Sequence, residues 1–463
     1  MIVEFVAVAV LVYVIAIEVQ LLAVGLLSLR QLRHDRYLAR YGGLDEMLYS
    51  DTTPPVSIVV PAYNEQAGIV EAVRSMTMLR YPRFEVIVVN DGSKDDTLGV
   101  LVDAFRLIEV TVPYRRDLET EPIRGIYRST LPLPVTVVDK HNGGKTDALN
   151  AGVNVARYPY VMLTDADVVL DGESLLRAMR HVVEDRERTV AVGGNIRPIN
   201  GCVVNRGRVV ETHLPKRALE RVQVLEYIRS FIAARPGWSR LGALVLVSGA
   251  FGIYRRDALA EVGGFRRGHL GEDLDLTMRL HRLMREKRRP YRIVFAADAI
   301  AWTEVPTTRK VLRTQRIRWH KGLRMVVRDF RDVLFNPRYG TLGMLGWPAY
   351  VAFEFVAPLV EFVGWLVIPV AWLTGYLDLS IAVPLAVAAF FLGAINSLIA
   401  LFFDEAYGYF TSPLEAVRLL WLTYLENLGL RQQTVVWRVL AMFGPTASSW
   451  GDMQRRGVNN LAS

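Results

Sequence analysis

The apolar residues of this chain are gathered near its two ends, and that placement constrains the fold more than any motif. The stretch Ile2–Leu29 is nearly all apolar, broken by Glu4, Glu18 and Gln20. As a helix it is long enough to cross a bilayer core of about 30 Å. No basic segment precedes it and no A-x-A-like site follows it, which disfavours a cleaved signal peptide. Trp347–Leu373 and Leu379–Phe403 are two more candidate spans, and the short link Thr374–Asp378 makes them a hairpin. Glu354, Pro358 and Glu361 interrupt the first of these. Between Thr52 and about Phe335 no apolar run is long enough to span. The chain therefore reads as a soluble body at 52–335, preceded by a membrane helix at 1–30 and followed by a hairpin at 347–403.

Composition agrees with this split. Of 463 residues, 51% are hydrophobic and 22% are charged. The charged share is that of a soluble protein, yet the mean hydropathy of +0.22 is too high for one. A disordered chain and a pure membrane bundle are both excluded. The single cysteine, Cys202, excludes a disulfide framework and a zinc site built on cysteine pairs. The net charge of +8 allows nucleic acid, anionic lipid or a phosphorylated substrate as partner. Arg30, Arg33, Arg36 and Arg40 follow the first span, and a second basic cluster precedes the hairpin. This clustering favours lipid headgroups and phosphates over nucleic acid, and it places the soluble body in the cytoplasm. A third apolar stretch, Leu414–Phe443, carries Arg418, Glu426, Arg431, Gln432, Gln433 and Arg438. That charge density favours interfacial or re-entrant helices over a span. The tail 444–463, with Arg455 and Arg456, is then expected to be cytoplasmic.

In the soluble body, four short apolar runs alternate with helix-like stretches. The runs are 56–60, Phe84–Asn90, Val135–Asp139 and Tyr160–Thr164. The helical stretches are Glu65–Leu79, Asp95–Arg106 and Lys145–Ala156. This alternation predicts an α/β fold with a mostly parallel sheet, whose ligands bind beyond the carboxyl ends of the strands. Each of the four runs ends in polar residues, so those ends form the candidate site. No G-x-G-x-x-G follows the first run, and the P-loop reading of Gly144-Lys145-Thr146 fails because its first glycine would be Asp139.

The polar ends carry recognisable chemistry. In an extended strand Asp165 and Asp167 share a face, and two hard carboxylates suit Mg2+ or Mn2+; a capping pair in a turn is the plainer reading. Asp91-Gly92-Ser93 adds a carboxylate on another strand end, although Asp-Gly is also a common turn. Lys145 follows a glycine pair at a helix start, where it can neutralise a phosphate. Gly271-Glu272-Asp273 opens a helix over Leu274–Arg285. Acids there suit the helix dipole, and one of them could also act as a general base. Gln315, Arg318 and Trp319 fall at i, i+3 and i+4 of a helix-like run, 308–330, and share a face. Arg309, Lys310, Arg313, Arg316, Lys321, Arg324 and Arg328 surround them, so this helix also reads as interfacial.

In this order the motifs resemble the membrane-embedded family 2 glycosyltransferases, the branch with cellulose, chitin, hyaluronan and poly-N-acetylglucosamine synthases. The carriers are Val60-Pro61-Ala62-Tyr63-Asn64-Glu65, Asp91-Gly92-Ser93, Asp165-Ala166-Asp167, Gly271-Glu272-Asp273 and Gln315-Arg316-Ile317-Arg318-Trp319. The resemblance covers about residues 54–330 and the flanking spans. It implies a GT-A fold and a nucleotide-diphosphate sugar donor, with a UDP-sugar expected. It assigns the loop Pro61, Ala62, Tyr63, Glu65 and Asp91 to the nucleoside. Lys145 and Asp165 would lie near the diphosphate, and Asp167 with Asp165 would hold Mg2+ or Mn2+. Asp273, beside Glu272, would be the base of an inverting transfer. Gln315, Arg318 and Trp319 would line the acceptor and the diphosphate, and Ser248-Gly249-Ala250-Phe251 matches the family's acceptor-side strand.

The implied activity is extension of a β-linked polysaccharide at the cytoplasmic membrane face, the alternative being transfer of one sugar to a lipid. Gly271 stands where the cellulose and poly-N-acetylglucosamine synthases usually have threonine, so the product is not carried over. Only three spans are expected. Secretion of a polymer would then call for a second copy, an export partner or the helices at 414–443.

Overall fold

The computed structural model describes residues 2–41, 43–205, 207–405, 413–425 and 429–445. Glu426 and the tail from 446 on, including Arg455 and Arg456, lie outside the described residues. The chain divides into two compact units. One comprises Arg33–Pro215 and Leu244–Val305; the other comprises Met1–Leu32, Lys216–Ala243 and Pro306–Met453.

The first unit is built on a ten-stranded mixed sheet, ordered β3-β4-β5-β2-β1-β6-β11-β8-β12-β7. The strands in chain order are β1 (Val56–Ala62), β2 (Phe84–Asn90), β3 (Leu107–Glu109), β4 (Ile123–Ser129), β5 (Val135–Lys140), β6 (Tyr160–Leu163), β7 (Val169–Leu170), β8 (Thr189–Pro198), β11 (Gly252–Arg255) and β12 (Arg292–Thr303). A separate hairpin pairs β9 (Val203–Asn205) with β10 (Arg208–Glu211). The adjacent strands β5, β2, β1 and β6 are mutually parallel. These are the four apolar runs seen in the sequence, and their valine- and isoleucine-rich interiors are buried, as both faces of a parallel sheet must be. The expected α/β sheet is thus present.

Chain direction reverses its lateral progress at β1, which has β2 on one side and β6 on the other. Such a switch point opens a crevice at the carboxyl ends of the strands. Pro61 fits inside β1 because pairing with β6 stops at Val59, leaving no partner to miss its absent N–H. The Lys145–Val155 helix lies tightly on this sheet. A Cβ on Gly152 would come within 2.2 Å of Val59 Cγ1, so only glycine allows that approach.

In the second unit, three helical segments are long and apolar enough to cross a membrane: Val3–Tyr37, Leu342–Leu373 and Leu379–Glu405. Their polar residues face each other. Glu18 accepts from Asn396 Nδ2 at 2.7 Å through its carboxylate and at 2.9 Å through its carbonyl. Gly364 lets Val10 come close enough that a Cβ would meet it at 2.7 Å. Small residues and polar bridges of this kind are what bind helices in an apolar medium.

The charged stretch Leu414–Phe443 resolves into two helices, Pro413–Leu425 and Leu430–Phe443. Neither is among the three spanning candidates. The charges of the second helix answer those in the hairpin's first arm. Arg431 Nη2 lies 2.9 Å from Glu361 Oε1, and Arg438 Nη2 lies 3.5 Å from Glu354 Oε2. That pairing explains why Glu354 and Glu361 interrupt an otherwise apolar segment.

Candidate active site

The site is read from the carboxyl ends of β1, β2, β5 and β6. After β1 and β2 the chain forms two loops stitched to one another. Asn64 takes a left-handed conformation with φ of 56°, and its N–H donates to Ser93 Oγ at 3.0 Å. Lys94 N donates back to Asn64 Oδ1 at 2.8 Å, and Glu65 N donates to Thr97 Oγ1 at 2.9 Å. Tyr63 stands exposed at the tip. Asn64 and Glu65 are therefore held by the segment that follows Asp91, while Pro61 and Ala62 are the last residues of β1.

Asp91 is turned inward. Its carboxylate accepts from Lys140 Nζ at 2.6 Å, from Gly143 N at 3.0 Å and from Gly144 N at 2.7 Å. Gly92, with φ of 67°, passes so near this loop that a Cβ would meet Asn142 N at 2.8 Å. Asp91 thus shapes the glycine turn that launches the Lys145 helix. The nucleoside-holding role implied by the resemblance falls on a carboxylate that already accepts from three protein donors.

Lys145, the first residue of that helix, reaches across to β6. Its ammonium lies 2.6 Å from Asp165 Oδ1 and 3.5 Å from Glu272 Oε1. Asp165-Ala166-Asp167 lies one step beyond β6, in a turn rather than on the strand itself. Ala166 is buried while both aspartates are partly exposed.

Glu272 and Asp273 open the Glu272–Glu286 helix. Asp273 Oδ1 accepts from Leu274 N at 2.8 Å, and Oδ2 accepts from Gly249 N at 3.3 Å. Ser248-Gly249-Ala250-Phe251 is a turn, closed by Phe251 N donating to Ser248 O at 3.1 Å. This corrects the strand expected there; β11 begins only at Gly252. The turn is what aims the Gly249 N–H at Asp273. A Cβ on Gly249 would lie 3.8 Å from Asp273 Cβ and 3.9 Å from Lys145 Nζ, so this backbone sits between the two side chains. Beneath them Tyr254 is buried, and burial, followed by the charge of Asp273, pushes its phenol far up.

The structure therefore brings together Lys145, Asp165, Glu272, Asp273 and Gly249. Gln315, Arg318 and Trp319 belong to the other unit, on the Arg309–Asp329 helix. Trp319 is exposed there, and Arg316 stacks on its ring with Cζ 4.7 Å from the centroid. Arg316 in turn pairs with Glu226. The amide oxygen of Gln315 is buried with no hydrogen-bond partner among the described residues.

Sequence reasoning passed over Lys140, Asp147, Arg267 and Asp275. Lys140 and Asp147 are buried and paired, and Asp275 anchors Arg266 and Arg279, the latter at 2.8 Å. In the sequence Asp147 and Asp275 look like ordinary acids in the first turn of a helix, and nothing local marks their partners.

Comparison with known proteins decides the class. Residues 57–263 match the family described as Glycosyl transferase family 2. This segment is a family 2 glycosyltransferase domain. The glycosyltransferase reading extends beyond it. A poly-beta-1,6-N-acetyl-D-glucosamine synthase of Staphylococcus epidermidis is 26% identical over 361 residues, covering 76% of this chain and 75% of its own. The synthase of that name from Staphylococcus aureus (strain COL) is 26% identical over 290 residues, 62% of this chain and 60% of its own. Among solved structures, the mannosyltransferase PcManGT from Pyrobaculum calidifontis, in complex with GDP-Man and Mn2+, is 21% identical with a TM-score of 0.49. It covers 90% of this chain and 99% of its own. S. aureus TarS 1-349 in complex with UDP-GlcNAc is 17% identical with a TM-score of 0.40, covering 77% and 93%. The protein is a glycosyltransferase, and its three apolar helices fit a membrane-associated one.

Proposed function

We propose that the protein transfers a sugar from a UDP-sugar to a growing β-linked polysaccharide, with inversion, at the cytoplasmic face of a membrane. The observation that carries the reading is the meeting of Lys145, Asp165, Glu272 and Asp273 at one edge of the sheet. A cation and several acids there suit a donor diphosphate next to an acceptor hydroxyl. The resemblance to poly-N-acetylglucosamine synthases makes UDP-N-acetylglucosamine the first donor to try.

Asp273 takes the acceptor hydroxyl's proton, and the N–H groups of Gly249 and Leu274, one on each oxygen, hold its carboxylate in place. Lys145 neutralises the leaving diphosphate from the start of its helix, where backbone N–H groups add to the attraction. Asp165 and Asp167, partly exposed on either side of a buried alanine in the chain, offer hard oxygens that suit Mg2+ or Mn2+. A metal bound there would act as a Lewis acid on the diphosphate. Gln315, Arg318 and Trp319 serve the acceptor and the diphosphate, the buried amide oxygen of Gln315 being ready for a ligand donor. Pro61, Ala62, Tyr63, Glu65 and Asp91 shape the nucleoside side, Asp91 through the glycine turn.

The arrangement of the chain follows. The first helix spans, 52–335 forms the cytoplasmic catalytic body, 347–403 forms a spanning hairpin, and 414–443 lies at the interface. Arg30, Arg33 and Arg36 support that orientation. A panel of UDP- and GDP-sugars with Mg2+ or Mn2+, read for nucleotide release and product size together, tests the proposal. A polymer made from a UDP-sugar is expected. A single lipid-linked sugar replaces the polymer reading, and release from GDP-sugars alone overturns the donor.

A further inference from the structure

Asp147 is fully buried, and groups from three separate segments converge on its carboxylate. Lys140 Nζ, at the end of β5, lies 2.6 Å from Oδ1. Glu121 N donates to the two oxygens at 3.2 Å and 3.1 Å. Arg267 Nη2 lies 2.5 Å from Oδ2, while its Nη1 reaches Glu121 Oε1 at 3.0 Å. Lys140 is itself fully buried and makes its second 2.6 Å contact to Asp91 Oδ1. Asp91 in turn holds Gly143 and Gly144, immediately before Lys145.

Charge balance shows why Arg267 is drawn in. One ammonium between two buried carboxylates leaves one negative charge uncompensated, and an uncompensated buried charge is costly. Arg267 supplies the missing positive charge from outside. It sits on the segment from Gly263 to Gly271, whose end delivers Glu272 and Asp273. Other fastenings hold the segment to the Lys145 helix through Asn150 and to the helix it leads into through Asp275. Asn150 brackets Phe265, accepting from its N at 2.8 Å and donating to its O at 2.9 Å, and Arg266 pairs with Asp275. Past Arg267 comes Gly268, with a left-handed φ of 70°. The Arg267–Asp147 ion pair is therefore a second fastening, two residues nearer Asp273 than the Asn150–Phe265 bracket, between this approach and the helix that begins with Lys145.

We propose that Arg267 is a positioning residue for the transfer step: its ion pair with Asp147 sets where Glu272 and Asp273 stand relative to Lys145. This rests on the reading of Asp273 as the base. Arg267 acts through the loop and leaves donor binding to the groups already named.

The test compares Arg267→Gln and Arg267→Lys with the parent, as full chains in lipid nanodiscs. Misplacement of a base by a fraction of an ångström lowers turnover more than binding. For Arg267→Gln the expected result is a fall in kcat of at least about tenfold with the donor KM changed less than about threefold. The unfolding temperature should stay close to that of the parent, and Arg267→Lys should recover much of the loss. Hydrogen exchange at the amides of 266–273 should quicken in the glutamine variant and not in the lysine variant. Unchanged kcat, or a loss that tracks the unfolding temperature and is not recovered by lysine, overturns the proposal. If the parent releases nucleotide from no donor, the proposed function fails, and the exchange data still decide the clasp: unchanged exchange at 266–273 rules it out.

Discussion

Lys145 Nζ stands 2.6 Å from Asp165 Oδ1, joining the start of one helix to the end of a strand on the far side of the sheet's switch point. On the proposed function, the cation that answers a carboxylate in the free protein would answer a phosphate in the loaded one. Lys145→Met is expected to lower kcat for nucleotide release by about 10²- to 10³-fold, the usual scale for removing one fixed stabiliser of developing charge. Steady-state nucleotide release checks this. A loss of less than about tenfold would place the diphosphate elsewhere.

Asp167, like Asp165, is partly exposed. Replacing it with asparagine keeps one hard oxygen and removes the charge. The Mn2+ or Mg2+ concentration needed for half-maximal activity should rise at least about tenfold in Asp167→Asn, and a chelator should abolish activity in the parent. Metal titrations of the two proteins, read by nucleotide release, make the comparison. Overlapping curves would show that Asp167 is no ligand.

Asp273→Asn keeps the shape of the side chain and one of the two backbone hydrogen bonds it accepts, from Gly249 N or Leu274 N, but no longer takes a proton. Turnover should fall about 10²- to 10⁴-fold, the range for loss of general-base catalysis, while nucleotide still binds. Calorimetric titration with UDP alongside the rate measurement separates the two effects. Retained turnover in Asp273→Asn, with a large loss in Glu272→Gln, would move the role to Glu272.

How far the site could be read in advance depends on where its residues lie along the chain. β2 matches its apolar run, Phe84–Asn90, residue for residue, because a strand buried on both faces is an unbroken run that ends when polar residues begin. The polar ends of β1, β2, β5 and β6 then mark the site's edge. β8 and β12 escaped notice although both are buried in the same sheet. The interior of β12 reads Val-Phe-Ala-Ala-Asp-Ala-Ile-Ala-Trp, and its alanines and Asp298 match neither a strand's alternation nor a continuous β-branched run. The missed residues share another cause. Lys140, Asp147 and Arg267 matter through partners distant in sequence, and pairing of that kind leaves no local pattern. The turn at Ser248–Phe251 was misread as strand for a related reason: its shape follows from the need to aim one N–H at Asp273.

His281 is buried on the Glu272–Glu286 helix with both ring nitrogens engaged. Leu244 O only accepts, so Nε2 at 2.9 Å donates to it, and the neutral ring's Nδ1 accepts from Tyr291 OH at 2.7 Å. Burial, aided by Arg285, lowers its pKa from 6.5 to about 4. Because the folded pKa is depressed, this contribution to stability is complete above pH 6.5 and is lost as pH falls from there to about 4. The shift corresponds to a loss on the order of 3 kcal/mol. Thermal unfolding followed across pH 4 to 7 should show this decline, and His281→Asn should make it shallower. A decline equally steep in the variant would assign it to other groups.

The two ion pairs Arg431–Glu361 and Arg438–Glu354 repeat at the same seven-residue interval on both helices, in opposite chain directions. They work as a detent. A slide of one helical turn, about 5.4 Å, would break both pairs together and strand four charges beside apolar segments. A slide of about 10.5 Å would rejoin one Arg with one Glu and leave the other two without counter-ions. The Leu430–Phe443 helix thus has one favoured register against the helical stretch from Val351 to Leu373. Any movement there during a catalytic cycle would be a tilt or a swing of the two helices as a pair, without gradual slippage between them.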